Sequence, residues 1–355
     1  MNPEVGGSDG VRRSDKGSFD ALSPALVLEA VEAAYGIVPD GSLTPYSSYV
    51  NRVYGLRDEN GSEYVVKFYR PGRWTEKAIL EEHLFLADCA KAELPVVAPL
   101  EDANGQTLPA VEIEADDEDR AQGSSQSAAL EDPPGAFFFA LFPKRGGRSF
   151  DAESESDWLR LGGLAGRLHQ VGARRQAPAR SRLGPELALA NLSIVEPLVH
   201  PEFRAEFSET CRGILDSTSG QVAALRSLRI HGDLHRGNIL ERPGEGLLLL
   251  DFDDMMTGPP VQDLWLLLPG HAEDCAKELS LLVEGYSEFS ELEAGSVAVI
   301  EVLRFYRMLH FLAWRSLQRD DKWFRRDFPD WGGRSFWIRE LEDFRDQSRI
   351  VTDLA

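Results

Sequence analysis

The sequence predicts an α+β protein of two lobes: a small β-rich N-terminal lobe carrying one helix, and a larger, mostly helical C-terminal lobe. Three observations predict it. Short aromatic and β-branched runs crowd the region before residue 145, and from about Ala152, and again late in the chain, apolar residues recur at steps of three and four. The length of 355 residues is too great for one minimal domain and suits two lobes that share a cleft.

The elements follow in order. Residues 1–22 mix glycine, serine and charge without hydrophobic periodicity and read as a disordered tail. The runs Ser48–Leu56 and Glu63–Tyr69 read as antiparallel strands joined across Asn60-Gly61, a hairpin signal. A helix is predicted over Thr75–Ala90, with Thr75 as N-cap and Pro95 beyond its end. Its apolar stripe passes through Ile79, Leu86 and Cys89; Glu82 falls about 60° from Ile79, on that stripe, whereas Glu81 turns toward solvent. A carboxylate on a buried face requires a cationic partner. Residues 112–134, rich in acid, serine and glutamine, read as a flexible acidic insertion, and Ala136–Phe142 as a buried strand. The turn Lys144–Arg148 then separates an N-terminal lobe (23–145) from a C-terminal lobe (146–355). In the latter, Leu161, Leu164, Leu168 and Val171, and later Val302, Phe305, Leu309 and Leu312, mark helices.

Composition narrows the classes of function. Hydrophobic residues at 43% and charged residues at 27% place the chain among soluble globular proteins. The three cysteines (Cys89, Cys211, Cys275) have neither disulfide nor zinc spacing, which fits a reducing cytoplasm. Neither a signal-type apolar segment nor a membrane-length apolar run is present, so no membrane partner and a cytoplasmic location are expected. A net charge of -21 argues against nucleic acid as a partner.

The strongest chemical signal is His231-Gly232-Asp233-Leu234-His235-Arg236-Gly237-Asn238, followed after a turn by Leu247–Leu250 and Asp251-Phe252-Asp253. Phosphoryl transfer needs a group to take the proton of the attacking hydroxyl and hard oxygen ligands for Mg²⁺ on the phosphates. In an H-x-D-x-x-x-x-N loop one bend aims the Asp and the Asn into a single site, and an Asp at the end of the next strand meets the metal there. Asp233 is thus the candidate base, and Asn238 and Asp251 the candidate metal ligands, for Mg²⁺ or Mn²⁺. His231 reads as a support that packs under the loop. Upstream, Val65-Val66-Lys67-Phe68 is similar to the V-A-I-K strand whose lysine reaches ATP phosphates, and Glu82 supplies its helix partner.

These residues resemble the kinase-like superfamily of aminoglycoside phosphotransferases and choline kinases, and within it most closely the bacterial stress response kinase A family. The strings that carry the resemblance are SYVNRVYGL, VVKFYRPGRW, ILEEH, LPVVAPL, NGQTL, FFFALFPKRGGRSF, HGDLHRGNIL, DFDD and GPPVQDLW, spanning about Leu43 to Phe344. The resemblance implies a protein-kinase-like two-lobed fold and an autophosphorylating serine/threonine protein kinase of stress response, using ATP and Mg²⁺ as a soluble monomer. It also implies that Asp233 is the catalytic base, with Asn238 and Asp251 on the metal and Lys67, Glu82 and Ser48 serving the nucleotide. Asp263 would hydrogen-bond the catalytic-loop backbone. Two departures stand out: the phosphate loop offers only Ser47, Ser48, Asn51 and a late Gly55 in place of G-x-G-x-x-G, and the acidic insertion is longer than the family pattern requires. A small-molecule kinase acting on an amino sugar or amino alcohol, and a catalytically silent ATP-binding module, stay open beside the protein kinase. The same base and metal serve any hydroxyl.

Overall fold

The structure is a computed structural model that describes residues 19, 21–46, 48, 50–112, 136–319, 324, 326 and 328–353. The chain divides into two compact units, one of residues 1–76 with 100–144 and one of residues 77–99 with 145–355.

In the first unit a helix, α1 (Pro24–Tyr35), accompanies a five-stranded antiparallel sheet. Its strands are β1 (Pro39–Tyr46), β2 (Arg52–Asp58), β3 (Glu63–Phe68), β4 (Ala110–Glu112) and β5 (Ala136–Pro143), in the order β1-β2-β3-β5-β4. Alternation in β2, β3 and β5 sends Leu56, Val66, Phe68, Phe139 and Leu141 into a core shared with Val27 and Val31 of α1. Phe68 and Phe139 stack there at 5.0 Å between ring centroids. The Asn60-Gly61 turn is held by the Asp58 carboxylate, which accepts the N–H groups of Asn60 and Ser62 at 2.9 and 2.8 Å, while Gly61 takes a φ of 84°.

The second unit begins with α2 (Glu76–Lys91) and is mainly helical: α3 (Glu155–Gly172), α4 (Pro185–Val195), α5 (Arg204–Ala224), α6 (Val261–Leu266), α7 (Ala276–Ser287), α8 (Ile300–Leu317) and α9 (Arg334–Asp353). Two small antiparallel sheets lie among them. One orders β6 (Arg148–Ser149), β8 (Ile239–Arg242) and β9 (Gly246–Leu249); the other pairs β7 (Leu228–Ile230) with β10 (Met256–Gly258). Ser154 opens α3 through a reciprocal capping box with Asp157. Val302, Phe305, Leu309 and Leu312 of α8 are all buried, and Phe305 meets Phe344 of α9 edge to face at 5.2 Å.

Several elements differ from their sequence reading. The strand expected over Ser48–Leu56 runs instead over Arg52–Asp58. The helix α1 and the strand β1 were not expected: β1 is an exposed edge strand with prolines at both 39 and 45, and carries no apolar alternation to announce it. The tail expected over residues 1–22 overlaps the core, since Phe19 and Leu22 are buried in that of the first unit; residues 1–18 lie outside the described residues, as do 113–134 of the acidic insertion. The helix expected inside the N-terminal lobe, α2, packs with the second unit, so that α1 is the helix of the first. Glu81 does not simply face solvent, since its carboxylate accepts the Ala179 N–H at 2.9 Å. No described helix is long and apolar enough to cross a membrane, and the three cysteines are free and buried.

Candidate active site

The loop from His231 to Asn238 connects β7 to β8, and its shape is imposed from below. Asp263, in the first turn of α6, accepts the backbone N–H groups of His231 and Gly232 at 2.8 and 2.9 Å. Its Oδ2 also takes the Nε2–H of His169 at 2.9 Å, and the Tyr286 hydroxyl donates to His169 Nδ1 at 3.2 Å. This string from α7 through α3 to α6 is almost wholly buried, so its bonds are unscreened by water. Burial pushes the Tyr286 hydroxyl up to about 12, which keeps it a neutral donor. Gly232 has a φ of 81°, and a Cβ there would stand less than 3 Å from the Asp254 carbonyl oxygen. Only glycine permits that approach.

His231 lies beneath the loop. Its Nδ1 accepts the Asp233 N–H at 3.3 Å and its Nε2–H donates to the Leu250 carbonyl at 2.9 Å, which fixes the neutral tautomer. One imidazole therefore ties the loop to the strand end that precedes Asp251, and Phe252 packs on its ring at 4.5 Å.

Asp233 is surrounded by cationic groups. Arg307 of α8 donates Nη2 to its Oδ1 and Nη1 to the Gly232 carbonyl at 3.3 Å. His235 Nε2 lies 3.5 Å from its other oxygen. Burial alone would raise the carboxyl, but the His235 hydrogen bond and the charges of Arg307 and His235 outweigh it, leaving Asp233 below the ordinary carboxylate range. The same bond to Asp233 raises the His235 imidazole against the opposing effect of its burial.

Asn238 Nδ2 donates to the Asp233 carbonyl at 2.9 Å and lies 3.4 Å from its carboxylate. The amide nitrogen is thereby engaged within the loop, and Oδ1 is the end that remains for a cation. Pairing of Ile239 with Leu249, and the Leu250 N–H donated to the Asn238 carbonyl at 2.9 Å, set Asn238 across from the strand end that carries Asp251. Asp251 leaves that strand with a φ of 57°, a left-handed conformation that among non-glycine residues Asn and Asp tolerate best. An amide oxygen and a carboxylate are hard donors that fit Mg²⁺, which is ordinarily held by one or two carboxylates together with substrate phosphates. Among the described residues no cluster of three or more His, Cys, Asp or Glu side chains forms a metal site by itself.

The remaining candidates are carried by other elements. Lys67 is in β3 of the first unit, paired with Val53 and Ala140, 9% exposed, its Nζ 4.7 Å from the Tyr69 ring centroid. Ser48, also in the first unit, receives the Asn51 N–H on its hydroxyl at 3.4 Å. Glu82 is in α2 of the second unit, 1% exposed, with Arg180 Nη1 3.9 Å from its carboxylate. Sequence reasoning missed Arg180, Arg307 and His169. Each acts on a partner more than 70 residues away in the chain, and no local motif marks them.

Comparison with known proteins adds the family. Residues 42–306 match the model of the phosphotransferase enzyme family (APH). The chain is 35% identical to stress response kinase A of Escherichia coli (strain K12) over 352 residues, covering 95% of each chain. It is 36% identical to serine/threonine protein kinase RdoA of Salmonella typhimurium (strain LT2) over 343 residues, covering 94% of this chain and 95% of that one. Among solved structures, the amicoumacin kinase hAmiN in complex with AMP-PNP, Ca²⁺ and Ami superposes with a TM-score of 0.67 at 21% identity, over 91% of this chain and 93% of that one. That likeness shows a shared kinase-like fold.

Proposed function

Since the chain belongs to the phosphotransferase enzyme family and is a kinase, we propose that it is an ATP- and magnesium-dependent serine/threonine protein kinase that also phosphorylates itself. We place it as a cytoplasmic monomer of the stress-response type; the names of the relatives support the protein-kinase and stress-response parts of that reading. One observation carries the chemistry. Asn238 joins the candidate groups: its side-chain amide donates to the Asp233 carbonyl and lies 3.4 Å from the Asp233 carboxylate, and its backbone carbonyl accepts the N–H of Leu250, the residue before Asp251, on a loop braced from below by Asp263.

In this reading the acceptor hydroxyl attacks the γ-phosphorus as the bond to the β–γ bridging oxygen breaks, and ADP leaves. Asp233 orients the hydroxyl and takes its proton as the new oxygen–phosphorus bond forms. Arg307 holds that carboxylate in place and keeps it ionised until the proton arrives. Asn238 Oδ1 and Asp251 would hold Mg²⁺, which supplies charge neutralisation on the phosphates when bound. Lys67 serves the phosphates with Glu82 as its ion-pair partner, and Ser48 contributes to the phosphate loop.

The test is incubation with γ-labelled ATP and Mg²⁺, followed by mass spectrometry of the chain and of a generic protein substrate. Label on serine or threonine is expected in both. Label confined to a small amine or sugar would replace this reading with a small-molecule kinase. Asp233→Ala should lower turnover roughly 10²–10⁴-fold while nucleotide affinity stays nearly unchanged; full activity in that variant would remove Asp233 from its role.

A further inference from the structure

Within the second unit the stretch after α3 and the turn before β7 enclose a cavity of about 390 Å³. Five arginines line it, Arg175, Arg180, Arg182, Arg226 and Arg229, and no aspartate or glutamate does among the described residues. This concentration of positive charge is on a chain whose net charge is -21. The volume lies within the range of small-molecule sites, about 300–1,000 Å³.

The arginines fall into two sets. Arg229 is buried and committed: it donates to Asp88 at 2.9 Å and to the carbonyls of Val171 and Gly172 at 3.1 and 3.3 Å. Arg180 is buried as well and spans α2 and the segment after Asp251, donating Nε to the Met255 carbonyl at 2.7 Å, Nη2 to the Asp253 carbonyl and Nη1 to the Ala78 carbonyl at 3.4 Å. Arg175 shares Asp88 at 3.1 Å from an exposed position. Arg182 and Arg226 differ from these. Both are exposed, and among the described residues neither guanidinium has a hydrogen-bond or ion-pair partner. Two carboxylates touch the rim only through backbone: Glu81 accepts the Ala179 N–H at 2.9 Å and Glu293 the Arg226 N–H at 2.8 Å.

Two open guanidinium forks beside an arginine-lined cavity suit a phosphate, whose oxygens accept several charge-assisted bonds at once. The place of Arg182 gives such binding a consequence. The Ser181 carbonyl accepts the Thr257 N–H at 2.9 Å and the Leu183 N–H donates to the Thr257 carbonyl at 2.8 Å. With the Arg180 bonds to Asp253 and Met255, residues 180–183 are laced to residues 253–257, immediately beyond Asp251. A ligand that immobilises Arg182 therefore bears on the chain that positions Asp251 and, through Arg180, on the helix bearing Glu82.

We propose that this cavity is a second binding site for a small phosphate-bearing anion, gripped by Arg182 and Arg226 with Arg175, and that its occupancy alters nucleotide binding through Arg180. The second half rests on the kinase reading; the first does not.

Calorimetric titration of inorganic phosphate, pyrophosphate and O-phosphoserine into the full chain tests it, at constant ionic strength balanced with chloride. The comparison is the double variant Arg182→Ala/Arg226→Ala, whose exposed positions should leave thermal unfolding unchanged. Saturable binding of at least one anion is expected, weakened tenfold or more in the double variant. The tightest of the three distinguishes a free phosphate from a phosphoester. No binding beyond the chloride control, or equal binding in the two proteins, would overturn the site. For the coupling, the Kd of AMP-PNP with Mg²⁺ should change at least threefold when the anion is present in the wild type and not in the double variant. An unchanged Kd in the wild type would overturn the coupling while the anion titration, which requires no catalysis, still judges the site.

Discussion

Asp233 and His235 form a charge pair within the loop that joins β7 to β8, Nε2 lying 3.5 Å from the carboxylate. The imidazole is raised above its ordinary 6.5 by its bond to Asp233, and the carboxyl is lowered from 3.8 against the opposing pull of burial. A raised imidazole stabilises the fold below its free value and loses that contribution as the pH climbs through its higher native one. A lowered carboxyl does so above its free value and loses it as the pH falls through its native one. Between the two the pair is a cation beside an anion. An NMR titration of the His235 ring should therefore give a midpoint above 6.5, which drops in Asp233→Asn; a midpoint that ignores this substitution would deny the pair. The five-residue spacing of Asp233 and Asn238 was legible because one loop supplies both. Arg307 was not, because its guanidinium arrives from a helix 74 residues away.

Among the elements, α3 and α7 approach so closely that their backbones nearly touch. A Cβ on Gly285 would stand less than 3 Å from the Leu159 carbonyl oxygen, and one on Gly162 equally close to that of Leu282. The obstacle is backbone, so only separation of the helices relieves it. Gly285→Ala should cost about 1–3 kcal/mol in urea unfolding and loosen His169 and Tyr286, which these helices bring to Asp263. Gly213→Ala in α5, where nothing lies within 4 Å, should instead stabilise by about 0.5–1 kcal/mol. Equal effects would show that packing at Gly285 is not the cause. Apolar stepping located α2, α3 and α8 in the sequence, since burial of one helix face needs residues at that period. The edge strand β1 escaped because it buries no continuous face.

At the scale of the whole molecule, a net charge of -21 makes the folded chain repel itself. Added salt screens charges farther apart than about 10 Å at 0.1 M. The unfolding temperature should accordingly rise between about 0.05 and 0.5 M NaCl, as measured by scanning calorimetry. A flat or falling response would mean that local ion pairs, such as Arg315 with Glu340 at 2.8 Å, outweigh the net repulsion.

The amino-acid order alone determined the α+β class, the hairpin at Asn60-Gly61 and the loop that bears Asp233 and Asn238. Each depends on residues near one another in the chain, where backbone preference and side-chain period act directly. Tertiary structure decided what surrounds them: Arg307 on Asp233, Arg180 between Glu82 and the Asp253 carbonyl, and the His169–Asp263 brace under the loop. Those partners come from elements dozens of residues apart, and only the packing of helices in the second unit specifies which side chains meet.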